Sequence, residues 1–156
     1  MPNLFNKNDP SRRLHELNKL SLFVNLSHRE MKIVDGFMHA RTYLKDEVVF
    51  DEGEEGQAIY VILSGKVLVC HQGQAEMPIA MLESGSFFGE LALLDDARRA
   101  AQVRAAENCT LFVLFRGDFL GLMTAHALIA SKIALQLARH LGARLRSAVN
   151  IDQGPL

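Results

Sequence analysis

Between Ala40 and Phe115 the chain reads as seven short runs rich in β-branched, aliphatic and aromatic residues. They are Arg41 to Leu44, Val48 to Phe50, Ala58 to Leu63, Lys66 to Cys70, Met77 to Leu82, Ala101 to Ala105, and Cys109 to Leu114. The segments DEGEEG, SG, HQGQ, ESG and AENC fall among them and supply the glycines and polar side chains that tight turns require. Many short strands at even spacing predict a small β-roll or barrel.

Helical signals flank this region. Ser27 with Glu30 three residues on predicts a capping box, and Met31, Ile33, Val34, Phe37 and Met38 follow at helical spacing. Arg12 to Leu20 predicts another helix, with Leu14, Leu17 and Leu20 as its apolar edge. From about Thr124 to Ala148, the residues Ala130, Ala134, Leu137, Leu141, Leu145 and Ala148 fall within roughly 80° of one another on a helical wheel. Such a stripe must be buried, either on the protein's own roll or in a two-fold dimer through this helix. Arg144 lies about 20° from Leu137 by the same arithmetic, where an arginine either snorkels or meets a ligand. The expectation is one α+β domain, mainly β, over residues 1–156. Helices occupy about 11–38, the roll about 40–115 and C-terminal helices about 116–148. A length of 156 residues with 49% hydrophobic and 22% charged side chains fits a single soluble core.

The chemistry concentrates in Phe88-Gly89-Glu90-Leu91-Ala92-Leu93-Leu94 and, close behind, Arg99-Ala100-Ala101-Gln102-Val103. Gly89 permits backbone angles that a side chain forbids, so the amides of Glu90, Leu91 and Ala92 converge as the first turn of a short helix and attract an anion. Arg99, held on the next strand by small and apolar neighbours, supplies a planar fork of donors that fits phosphate oxygens. Glu90 would repel a phosphate, so its role is to accept a hydrogen bond from a sugar hydroxyl. In the alternative, Gly89 only turns the chain, Glu90 is solvated, and Arg99 pairs with Asp95 or Asp96.

The run FGELALLDDARRAAQV resembles the phosphate cassette of the cyclic-nucleotide-binding family, which has F-G-E-L-A-L, a short variable run, then R-A-A or R-T-A and a valine. EGEEGQAIYVILSGKV resembles a second conserved stretch of that family, and the likeness extends from about Leu20 to Arg146. The resemblance implies an eight-stranded antiparallel β-roll of the jelly-roll type, with N-terminal helices, a short cassette helix and a long C-terminal helix. It gives Glu90 the ribose 2′-hydroxyl and Arg99 the exocyclic phosphate oxygens, beside the turn of Gly89, Leu91 and Ala92. It places Val69, Ile79 and Leu82 on the apolar side of the base pocket, and a lid residue near Arg144 and Leu145. Ala100 stands where cyclic-GMP-selective relatives often carry threonine, which favours cyclic AMP. Cyclic GMP and cyclic di-GMP are the alternatives, as is an interaction module whose pocket is disused. The chain stops at NIDQGPL with no output segment, so the expectation is a stand-alone receptor acting through a protein partner or a homodimer.

Other functions find little support. Seventeen basic and eighteen acidic residues give a net charge of −1, which offers no global attraction for DNA. No apolar run approaches the length of a membrane span and the start MPNLFNKNDP lacks a signal-peptide core, so the expectation is a cytoplasmic protein. Cys70 and Cys109 sit in apolar runs and read as buried free thiols. DEGEEG lacks the oxygen spacing of a calcium loop. The six histidines form no H-x-H, H-x-x-x-H or H-E-x-x-H pair, so no metal and no catalysis are expected.

Overall fold

The computed structural model describes residues 9–149. Asp9 accepts hydrogen bonds from the amides of Ser11 and Arg12, and Pro10 opens helix α1 (Pro10–Asn18), two residues earlier than the expected start at Arg12. Helix α2 (His28–Asp35) starts at the expected capping box, in which Ser27 Oγ accepts from the Glu30 amide and Glu30 Oε1 accepts from the Ser27 amide. It stops at Asp35, so Phe37 and Met38 pack from the turn that follows.

Eight strands follow in two four-stranded antiparallel sheets. They are β1 (His39–Tyr43), β2 (Val48–Phe50), β3 (Ala58–Ser64), β4 (Lys66–Cys70), β5 (Ala80–Glu83), β6 (Phe87–Phe88), β7 (Gln102–Ala105) and β8 (Cys109–Phe115). One sheet has the order β1-β8-β3-β6 and the other β2-β7-β4-β5. The run expected over Met77 to Leu82 is shortened at its start, because the Met77 amide closes a turn onto Gln74 and Pro78 has no N–H to donate. Arg99 precedes β7 rather than lying on it. Helices α3 (Arg116–Ala125) and α4 (Ala127–Val149) complete the described chain, separated by His126.

The apolar run of β3 is explained by burial on both faces. Ile59, Val61 and Leu63 pack against the helices, whereas Ala58, Tyr60 and Ile62 point into the roll. In β8, Phe112 and Leu114 face the helices while Leu111 and Val113 face the roll. Cys70 and Cys109 are buried and free, and burial pushes the Cys109 thiol up. A glutamate of α2 tethers α4, since Lys132 Nζ donates to Glu30 Oε1 at 2.7 Å.

The face of α4 that packs on this core is Ile129, Ala130, Ile133 and Leu137. This corrects the expected stripe. Ala134, Leu145 and Ala148 are exposed, and Leu141 is only half-buried. The buried face is rotated from the predicted stripe by roughly 70°, toward the larger side chains of Ile129 and Ile133. Among the described residues, no helix is long and apolar enough to cross a membrane.

Candidate functional site

Gly89 ends β6 in the left-handed region, with φ 76° and ψ 19°. The chain then closes a short 3₁₀ turn over Glu90–Leu93. The Ala92 amide donates to the Gly89 carbonyl at 3.1 Å, so the expected trio of free amides reduces to Glu90 and Leu91 at the start of the turn.

Arg99 is set by backbone on both sides. The Arg99 amide donates to the Glu54 carbonyl and the Gly53 amide to the Arg99 carbonyl, each at 2.8 Å, which pins the arginine to the DEGEEG loop. Its Nη1 donates to the Gly89 carbonyl at 3.1 Å and its Nη2 to the Ala58 carbonyl at 2.8 Å. Beneath it, Phe50, Tyr60 and Phe88 form an aromatic bed, with Tyr60 and Phe88 stacked at 5.2 Å. The guanidinium carbon stands 4.0 Å from the Phe50 centroid, a cation–π contact of about 0.5 to 2 kcal/mol. Burial pulls the Arg99 guanidinium below its ordinary pKa, and burial pushes the Tyr60 phenol up. The pairing of Arg99 with Asp95 or Asp96 does not occur. Asp95 accepts from the Ala97 amide, and Asp96 pairs with Arg116 at 2.6 Å.

These elements enclose one wall of a cavity of about 580 Å³. Of the site residues singled out in the sequence, all but Leu145 line it: Gly89, Glu90, Leu91, Ala92, Arg99, Ala100, Val69, Ile79, Leu82 and Arg144. The apolar wall comes from Val69 on β4, Leu82 on β5, Val103 on β7, and Ile79 just before β5. Ala100 is exposed at the cavity. Glu90 is 4% exposed, which rules out the solvated alternative.

Arg144 and Leu145 part company. Leu145 is exposed and does not line the cavity, whereas the Arg144 guanidinium donates to Glu90 Oε1. His140, one turn earlier, packs its ring 4.4 Å from that of Phe87 and places Nε2 3.9 Å from the same oxygen. On a helical wheel His140 and Arg144 continue the face of Ile129, Ile133 and Leu137, so the core-facing side of α4 turns polar where it passes over the cavity. The sequence reading missed His140, Phe50, Phe87 and Gly56. The wheel position of His140 was available as a signal. Gly56 is a seat for Arg99, since a methyl there would stand 3.2 Å from its Cζ.

Among the described residues, no group of three His, Cys, Asp or Glu side chains is placed to hold a metal ion. The arrangement offers instead an anion subsite, a buried acceptor and an apolar slot.

The chain is similar to proteins of known kind. The Cyclic AMP receptor protein of Thermus thermophilus is 38% identical over 77% of this chain and 56% of its own length. The cAMP-dependent protein kinase regulatory subunit of Mycosarcoma maydis is 37% identical over 66% of this chain and 20% of its own. The chain thus spans about half of the first relative and about a fifth of the second. A solved cyclic nucleotide-binding domain from Methylobacillus flagellatus shares the fold, with a TM-score of 0.77 at 24% identity, over 94% of this chain and 88% of that one. Residues 40–126, more than half of the chain, match the sequence pattern of the cyclic nucleotide-binding domain, and the chain belongs to that family.

Proposed function

We propose that this chain is a regulatory receptor for a cyclic nucleotide, cyclic AMP in preference to cyclic GMP, and that it catalyses no reaction. The observation that carries the reading is one cavity of about 580 Å³ holding both a backbone-anchored arginine and a buried carboxylate. That volume lies within the usual range for small-molecule sites, roughly 300 to 1,000 Å³. The cyclic phosphate bears one negative charge and takes the remaining N–H groups of Arg99 with the amides of Glu90 and Leu91. Glu90 accepts from the ribose 2′-hydroxyl, and the base lies against Val69, Ile79, Leu82 and Val103. Ala100 has no hydroxyl to offer a guanine edge, and the two relatives named above carry cyclic AMP in their names. Calorimetric titration with cyclic AMP, cyclic GMP and cyclic di-GMP tests the assignment. Cyclic AMP should bind tightest. Failure of all three to bind would favour an interaction module with a disused pocket.

The partner we propose is a second copy of the chain. Leu128, Leu135, Gly142 and Val149 recur every seven residues along α4, with Ala138 and Leu145 between them. Leu128, Leu135, Leu145 and Val149 are all exposed, and Gly142 has open space on its Cα. Heptad spacing with small residues suits close helix pairing. The proposed dimer seam is therefore the side of α4 away from the core, and it shares only Leu145 with the stripe expected from the sequence.

A further inference from the structure

Helix α4 reaches the cavity with His140 and Arg144, and both approach one atom, Glu90 Oε1. Glu90 is 4% exposed, and a carboxylate so far from water requires compensation. Arg144 supplies it from the rim, where its own side chain is 66% exposed. The side-chain partners of Glu90 among the described residues all fall on Oε1. No buried side-chain oxygen among those residues lacks a hydrogen-bond partner, so the unpartnered Oε2 is not sealed in protein, and Glu90 lines the cavity.

We infer that Arg144 is a positioning residue: it holds Glu90 by Oε1 so that Oε2 faces the ligand's ribose hydroxyl, and so ties the last turns of α4 to the sugar. This rests on the cyclic-nucleotide reading and adds a residue that acts through Glu90. Two physical effects run the same way. The pair fixes the carboxylate's rotamer before the ligand arrives, which removes an ordering cost from binding. The guanidinium also offsets the Glu90 charge, which would otherwise oppose an anionic phosphate held at Arg99. From Gly142 onward the side chains of α4 are exposed or nearly so, so the Arg144–Glu90 pair is the anchor of the helix end on the roll.

The test compares cyclic AMP with 2′-deoxy cyclic AMP by calorimetry on wild type, Arg144→Gln and Arg144→Lys. Arg144 is exposed, so these variants should fold. Wild type should prefer cyclic AMP. Arg144→Gln should reduce that preference by about threefold or more, the range expected for directly coupled side chains, and Arg144→Lys should restore part of it. In a Glu90→Gln background, Arg144→Gln should change the preference no further. Equal weakening of both nucleotides, or tighter binding of cyclic AMP by Arg144→Gln, would overturn the inference. If wild type binds neither nucleotide, the cyclic-nucleotide reading fails and takes the inference with it. If wild type binds and the preference survives in Arg144→Gln, the inference alone fails. Ligand-free hydrogen exchange over residues 141–149 gives a readout independent of affinity. It should be faster in Arg144→Gln than in wild type, and equal rates would overturn the anchoring.

Discussion

The guanidinium of Arg99 lies 4.0 Å from the centroid of the Phe50 ring, while its two terminal nitrogens donate to the carbonyls of Gly89 and Ala58. A long side chain would otherwise lose rotamer freedom on meeting a ligand. Here the backbone has already taken that freedom, which is how preorganisation favours affinity.

Gly89 is part of that restraint. A methyl at this position would stand 2.6 Å from Arg99 Nη1 and 3.2 Å from the Ala58 carbonyl, on a backbone with φ 76°. Gly89→Ala should therefore lower stability by about 1 to 3 kcal/mol and weaken cyclic AMP binding as well. Urea unfolding and calorimetry on the same variant check this. Unchanged affinity would show that Arg99 can shift without loss.

Ala100 is the position at which the proposed site would discriminate between bases. Ala100→Thr should move the binding ratio toward cyclic GMP by about 1 kcal/mol, the net contribution of one neutral hydrogen bond. The ratio is read by competition between the two nucleotides. A wild-type preference for cyclic GMP above about tenfold would contradict the assignment.

The tether between α2 and α4 should respond to acid. Glu30 is held below its ordinary carboxylate value, first by the hydrogen bond from Lys132 and next by the Ser27 amide. The folded state therefore binds fewer protons at Glu30 than the unfolded chain. The resulting stability is complete above the unfolded pKa and is lost as pH falls through the folded one. Glu30 is partly exposed, so the pair contributes about 1 kcal/mol at most. The stability gap between wild type and Glu30→Gln should be open at neutral pH and close in acid, as measured by urea unfolding. A gap independent of pH would show that the charge on Glu30 contributes nothing to the tether.

Much of this was legible in the sequence because it is local. The bounds of β2 and β4 match the runs Val48–Phe50 and Lys66–Cys70, and Ser27 with Glu30 forms the expected box. Gly89, Glu90 and Arg99 lie within one short segment, so their convergence needs only a turn. β6 was missed because two residues, Phe87 and Phe88, display no alternation. Gly56, Phe50 and His140 meet the cassette only through long-range packing, which periodicity does not report. On α4 the wheel offered two overlapping apolar faces, and the larger volumes of Ile129 and Ile133 decided which one entered the core.

The other face of α4 yields a prediction about assembly. Leu135→Glu combined with Leu145→Glu should convert a dimer to a monomer in sedimentation equilibrium, because both leucines are exposed in one chain and would be buried in two. A wild type that sediments as a monomer at all concentrations would remove the proposed seam.

Calorimetry of wild type against Arg99→Ala with cyclic AMP tests the proposal that Arg99 is the phosphate anchor of a cyclic-nucleotide site. Loss of one partner from a desolvated charge pair costs about 2 to 5 kcal/mol, or roughly thirtyfold to several thousandfold in affinity. Arg99→Ala should show that loss with the fold retained, and Arg99→Lys should bind poorly, because a point charge does not reproduce the fork. Binding by Arg99→Ala within about threefold of wild type would contradict the claim.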